Sequence, residues 1–175
     1  MSKVITVDNY FGPCSTVTFF GKFDPTTGES SPLNHEDYIN VISDLHLAPH
    51  VPKDVTDLFE TAKALYAYGY LYWTFFTLSF EQALKAWELA ITNRLELTGK
   101  AVPNRLIDKI EALHKYDVIS EDIKKLFHMT RMVRNDLVHP DTQNQLGHSI
   151  SWIRGISRDI NFLFGESEAK SSESC

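Results

Sequence analysis

An arginine, an asparagine and a histidine fall within one short stretch, Arg134-Asn135-Asp136-Leu137-Val138-His139, followed by Pro140. Residues of these types can handle a phosphate. A histidine titrates near neutrality and can take or give the proton of a hydroxyl. A guanidinium binds phosphate oxygens bidentately and stabilises charge that develops on them. A neighbouring amide can orient the imidazole or hold a ribose hydroxyl. These parts suffice for metal-independent cleavage of RNA by its own 2′-hydroxyl. They do not demand it, because an arginine and a histidine at a helix end are also ordinary surface caps. Asn135 and His139 are four apart and stack on one helix face. Arg134 and His139 are five apart, about 140° around at ~100° per residue, so an unbroken helix points them apart. They converge if the helix end bends before Pro140, or if two copies of the helix meet across a dimer axis.

The elements that must position this group are helical. Residues 54–164 carry a three- and four-residue apolar period almost throughout. The spacing predicts helices over about 55–68, 70–97 and 104–116. The second of these has a wide apolar face of Trp73, Phe76, Phe80, Ala83, Leu84, Trp87 and Ile91. A fourth helix starts at the N-cap Ser120, with Glu121 and Asp122 in its first turn, and is stopped by Pro140. A fifth runs from about 146 to 164. Short connections between five such helices make an antiparallel bundle.

Residues 1–53 differ: they hold five of the seven prolines. The β-branched and aromatic runs 4–7 and 15–20 read as two short strands, 24–28 as a turn, and a short helix is expected from Asn34 over 35–42. The fold class is therefore all-α, with an N-terminal β or extended arm (1–53), a helical bundle (54–165) and a polar, disordered tail (166–175).

Composition narrows the chemistry. At 175 residues the chain suits one domain, and 43% apolar with 23% charged residues marks a globular body. Cys14 and Cys175 are the two cysteines, which excludes a disulfide framework and a four-cysteine zinc site and fits a reducing compartment. No signal-peptide pattern opens the chain, and the uncharged run 64–80 is shorter than the ~20 apolar residues of a membrane span. A cytoplasmic protein with no membrane partner is expected. There is no phosphate-cradling glycine loop, no nucleophile elbow, no HExxH and no Glu-x-x-His pattern. His46 and His50 read as surface histidines rather than ligands, so neither metal nor cofactor is expected. The total charge of −6 argues against broad duplex binding, yet residues 94–134 hold nine Lys/Arg against six Asp/Glu. That is a local +3, which leaves −9 for the rest. Arg131 beside Arg134, with Arg154 and Arg158 on the last helix, can line a phosphate groove or form an ordinary solvated face.

The R-N-x-x-x-H-P stretch 134–140 at the end of one helix of an all-α bundle resembles the signature of HEPN domains. The order of upstream segments is similar too: Val51-Pro52-Lys53-Asp54-Val55, then Phe80-Glu81-Gln82-Ala83-Leu84-Lys85-Ala86, then Arg105-Leu106-Ile107-Asp108-Lys109-Ile110 and Ile119-Ser120-Glu121. The likeness is to prokaryotic HEPN-like domains and covers about residues 51–164. It implies a homodimer whose motifs face one another across a cleft. It also implies a metal-independent ribonuclease of a defence or toxin-type system, with RNA as substrate. By that analogy His139 is the general acid/base, Arg134 the phosphate contact and Asn135 its polar partner. Glu81 would support them from the second helix, unless it simply pairs with Lys85 at i,i+4. Family likeness does not settle activity. The alternative is a non-catalytic interaction or nucleotide-binding module that acts through its dimer and a protein partner, with the Arg-Asn-His group as a polar lock.

Overall fold

The computed structural model describes residues 3–137 and 150–165, with residues 136 and 137 described by their backbone alone. Its centre is a helical hairpin of α2 (Lys53–Tyr68) and α3 (Thr74–Glu96). Pro52, whose ring presets φ, leads into α2. Val55, Phe59, Ala62 and Tyr66 then recur at steps of four and three and are all buried. α3 buries a wide face, ten of its 23 residues, with Trp87, Phe76 and Ile91 among the largest sealed side chains. The two helices run antiparallel. Asn93 Nδ2 donates to Asp54 at 3.1 Å at one end, the Ser79 hydroxyl donates to Ala62 O at 2.6 Å further on, and Tyr66 meets Phe76 at the other.

The expected helix 70–97 begins four residues late because residues 69–73 make the corner. Gly69 lies under the Phe76 ring so closely that a Cβ there would come within 2.4 Å of it. This corner divides the uncharged run 64–80. No helix among the described residues is long and apolar enough to cross a membrane.

Three more helices cover the hairpin. α6 (Ile150–Phe164) sets Ile153, Ile156, Ile160 and Leu163 into the core against α3, and its Trp152 ring lies 5.6 Å from Phe80. α4 (Leu106–Lys115) buries Ile110 and Leu113. α5 (Glu121–Leu137) packs mainly on α4 and reaches α3 through Phe127, which meets Trp87 edge-on at 5.3 Å. Ser120 caps α5 as its position predicts, accepting from the Ile123 N–H at 3.3 Å. Residues 138–149 and the tail 166–175 lie outside the described residues, and with them the expected stop at Pro140.

The all-α bundle with a small N-terminal β element is thus as expected, but its strands are elsewhere. Residues 4–7 and 15–20 form no strand. Asn9 takes the Thr6 N–H (2.9 Å) and donates to Val4 O (2.9 Å), and Thr18 donates to Ser15 O (2.7 Å). These local bonds use the backbone groups that a ladder would need. Residues 17–19 make a 3-10 turn instead. The strands are β1 (Gly21–Phe23) and β2 (Ser30–Pro32), antiparallel and joined through the expected turn, where Gly28 adopts φ +74°. The segment is anchored on the α2–α3 corner: Cys14 and Val17 are buried, and the Cys14 N–H donates to Tyr70 O at 2.9 Å. α1 (His35–Ser43) follows, opened by a reciprocal capping box between Asn34 and Asp37.

Candidate functional site

α5 places Arg134 and Asn135 about one turn beyond Arg131 and on the side that meets α3 and α4. The reason is the α5 pattern itself. Phe127 points at α3, and His128 reaches α4, where its Nε2 lies 2.8 Å from Glu111 Oε1. Arg131 and Arg134 continue these two rows at three- and four-residue steps. The Arg134 guanidinium meets Glu88 Oε2 of α3 at 3.4 Å and donates to its neighbour Asn135 Oδ1 at 3.4 Å. Its side chain remains 41% exposed and that of Glu88 31%. The guanidinium is therefore oriented by a carboxylate and still open to solvent. Distances at the edge of the hydrogen-bond range leave it free to exchange partners.

The same turn of α3 carries a second cation. Lys109 of α4 donates from Nζ to Thr92 Oγ1 at 2.9 Å, and the Thr92 hydroxyl donates in turn to Glu88 O at 2.9 Å. Lys109 has no carboxylate partner among the described residues. Arg131 adds a third cation, and its Nε is buried without an acceptor. At the α3–α4–α5 junction Arg134 and Lys109 thus reach one turn of α3, with Arg131 a turn earlier on α5, and among the described residues Glu88 is the one acid bonded to any of them.

The other candidates fall as follows. His139 lies outside the described residues. Glu81 is half-buried on α3, and its pair with Lys85 is not formed. It is seven residues before Glu88, hence two turns earlier on the same face. Glu88, which the sequence reading did not single out, is the carboxylate at Arg134. That seven-residue spacing was the available signal. Arg154 is engaged elsewhere: its Nη2 donates to Asp44 Oδ2 at 3.3 Å and to Val41 O at 3.3 Å, tying α6 to the end of α1. Arg158 is exposed on α6. Among the described residues no hydrogen bond or ion pair joins Arg154 or Arg158 to Arg131, Arg134 or Asn135. Beside Arg158, burial pushes the Asp159 carboxyl up to about 6, against the opposing pull of that guanidinium.

A second charged array runs along α4 and α5. His114 faces Glu121 (3.2 Å), Glu121 meets Lys124 (2.8 Å), Lys124 meets Glu111 (3.6 Å), and Glu111 meets His128. The His128 hydrogen bond, then Lys124, holds the Glu111 carboxyl below its usual range. Lys124 does the same for Glu121. No group of three or more His, Cys, Asp or Glu among the described residues is placed to hold a metal ion. Comparison with protein-family models, curated proteins and solved structures finds no match to this chain.

Proposed function

We propose that the chain is a cytoplasmic, HEPN-like, metal-independent endoribonuclease of a defence or toxin-type system that cuts single-stranded or loop RNA. In this reading the imidazole of His139 takes the proton of a ribose 2′-hydroxyl. The freed oxygen bonds the adjacent phosphorus, and the 5′-oxygen leaves with a proton. The products are a 2′,3′-cyclic phosphate and a 5′-hydroxyl end. Arg134 holds the phosphate and neutralises charge that grows on its oxygens. Asn135 orients its neighbours, and Glu88 aims the guanidinium. The supporting observation is that Arg134 is held by Glu88 at 3.4 Å yet is 41% exposed, as a phosphate contact needs. A sealed arginine would instead favour the polar-lock module.

A homodimer belongs to the proposal. α5 exposes Leu126, Met129 and Met132 (44, 63 and 58%) on the face turned away from Arg131 and Arg134, an apolar stripe that a second copy can cover. The test is cleavage of a single-stranded RNA in excess chelator, with product ends identified. Wild type cleaves and His139→Ala does not, while both keep the same thermal midpoint. Intact RNA after incubation with well-folded wild-type dimer would falsify the catalytic reading.

A further inference from the structure

Arg134 and Lys109 reach the same turn of α3 from α5 and α4, with Arg131 one turn before Arg134, and among the described residues Glu88 is the one carboxylate bonded to any of the three. Arg105, Lys124 and Lys125 of the same region each have an acid within 3.6 Å. Lys109 is bound only to a neutral hydroxyl, at 2.9 Å. Arg131 keeps a buried Nε with no acceptor. A buried donor without a partner is costly, and a net positive junction that stays open to solvent is a ready anion site.

Its shape carries the chemistry further. Arg134 touches Glu88, and Lys109 touches Thr92. These two α3 residues are four apart, one helical turn, or a rise of roughly 6 Å. The two cationic heads therefore flank one turn of α3. That separation suits neighbouring phosphates along an extended single strand better than the directly bonded pair of a diphosphate. Glu88 meets Arg134 only at the edge of bonding distance, so an incoming phosphate can replace it.

We propose that this junction binds two successive phosphates of a single-stranded nucleic acid, the reacting one at Arg134 and its neighbour at Lys109 with Arg131. The inference rests on reading the site as one for RNA, and it assigns the substrate-positioning cations that the motif at 134–139 leaves out.

The test is binding of a fluorescent 2′-O-methyl oligoribonucleotide, which offers no 2′-hydroxyl and cannot be cleaved by this route. Anisotropy is followed against salt in chelator. Lys109→Gln keeps a donor for Thr92 but removes the charge, and Arg131→Gln keeps a polar head. Each should weaken binding roughly 3–10-fold at low salt and flatten the log–log salt slope by about 0.7, the single-strand value for one lost phosphate contact. Lys115→Gln, an exposed and unpaired lysine of the same helix, should change neither. Wild type that fails to bind, Lys109 and Arg131 variants that bind like wild type, or a Lys115 variant that weakens equally overturns the proposal. So does displacement of the probe by ADP as readily as by unlabelled oligonucleotide. Cleavage of ordinary RNA is scored separately. Binding as expected without cleavage removes the ribonuclease reading and leaves this one standing.

Discussion

Two charged arrays share α5 and differ in their balance. The outer one, His114–Glu121–Lys124–Glu111–His128, alternates base and acid between α4 and α5. Its glutamates sit below the ordinary carboxylate range because each has a cationic neighbour. The inner one, at the α3–α4–α5 junction, holds Lys109, Arg131 and Arg134, and among the described residues Glu88 is the one carboxylate bonded to any of them. The ladder pairs each of its carboxylates with bases and fixes two helices against each other. An unmatched junction keeps donors in reserve, and reserve is what a binding site needs. The two arrays are joined by Phe127, sealed against Trp87.

That contrast makes predictions that differ in size. Phe127→Ala should cost the most stability, about 3–5 kcal/mol in urea unfolding, because it empties the contact that holds both arrays in place. Arg134→Ala should cost little stability but lower RNA cleavage by about 100–1,000-fold, in kcat rather than KM. A large loss of stability there would move Arg134 into the structural ladder and break the distinction.

Asp159 supplies an unmatched charge of the opposite kind, a carboxyl that burial pushes up to about 6. A raised folded value favours the neutral form, so stability is fullest below the unfolded value near ~3.9 and falls as pH rises through about 6. Asp159→Asn should remove that fall. It should gain about 1–2 kcal/mol at pH 7, allowing for partial solvent screening, and nothing at pH 3.5, as read from paired unfolding curves. Glu111→Gln should have the smallest effect, a thermal shift of a degree or two, as befits exposed pairs. Because the Glu111 carboxyl is lowered by His128 and Lys124, its contribution is present above the unfolded value and disappears as pH falls through the folded one. A loss at pH 7 as large as that of Phe127→Ala would show that the ladder, not the aromatic contact, holds α5.

The helices were legible because their apolar period is carried by each helix alone. Ser120 and Asn34 marked starts that the caps confirm. The strands were not legible at 4–7 and 15–20, where composition favours β structure but Asn9 and Thr18 occupy the backbone groups first. The strands at 21–23 and 30–32 carry no β-branched run, and the turn at 24–28 was the one part of the hairpin that the sequence marked. The site divides in the same way. Arg134 and Asn135 stood out because they are adjacent in a motif. Glu88, Thr92 and Lys109 come from two other helices, and no spacing within α5 specifies which turn of α3 it will meet. Arg154, read either as part of a phosphate groove or as an ordinary solvated face, pairs with Asp44 and Val41 O, partners more than a hundred residues away that no local spacing shows.

That distance has a counterpart in how the molecule can be made. Asn161 donates to His46 O at 2.9 Å and accepts from the Ala48 N–H at 2.8 Å, and the Ser157 hydroxyl also reaches His46 O. The connection between α1 and α2 is thus clasped by the last described helix. A chain emerging from the ribosome holds α1 and its connection unclasped until residues 157–161 have been synthesised. A stop codon shortly before Ser157 would leave the α1–α2 connection unclasped, with α1 held by its own packing on α2 and the Tyr38 cluster.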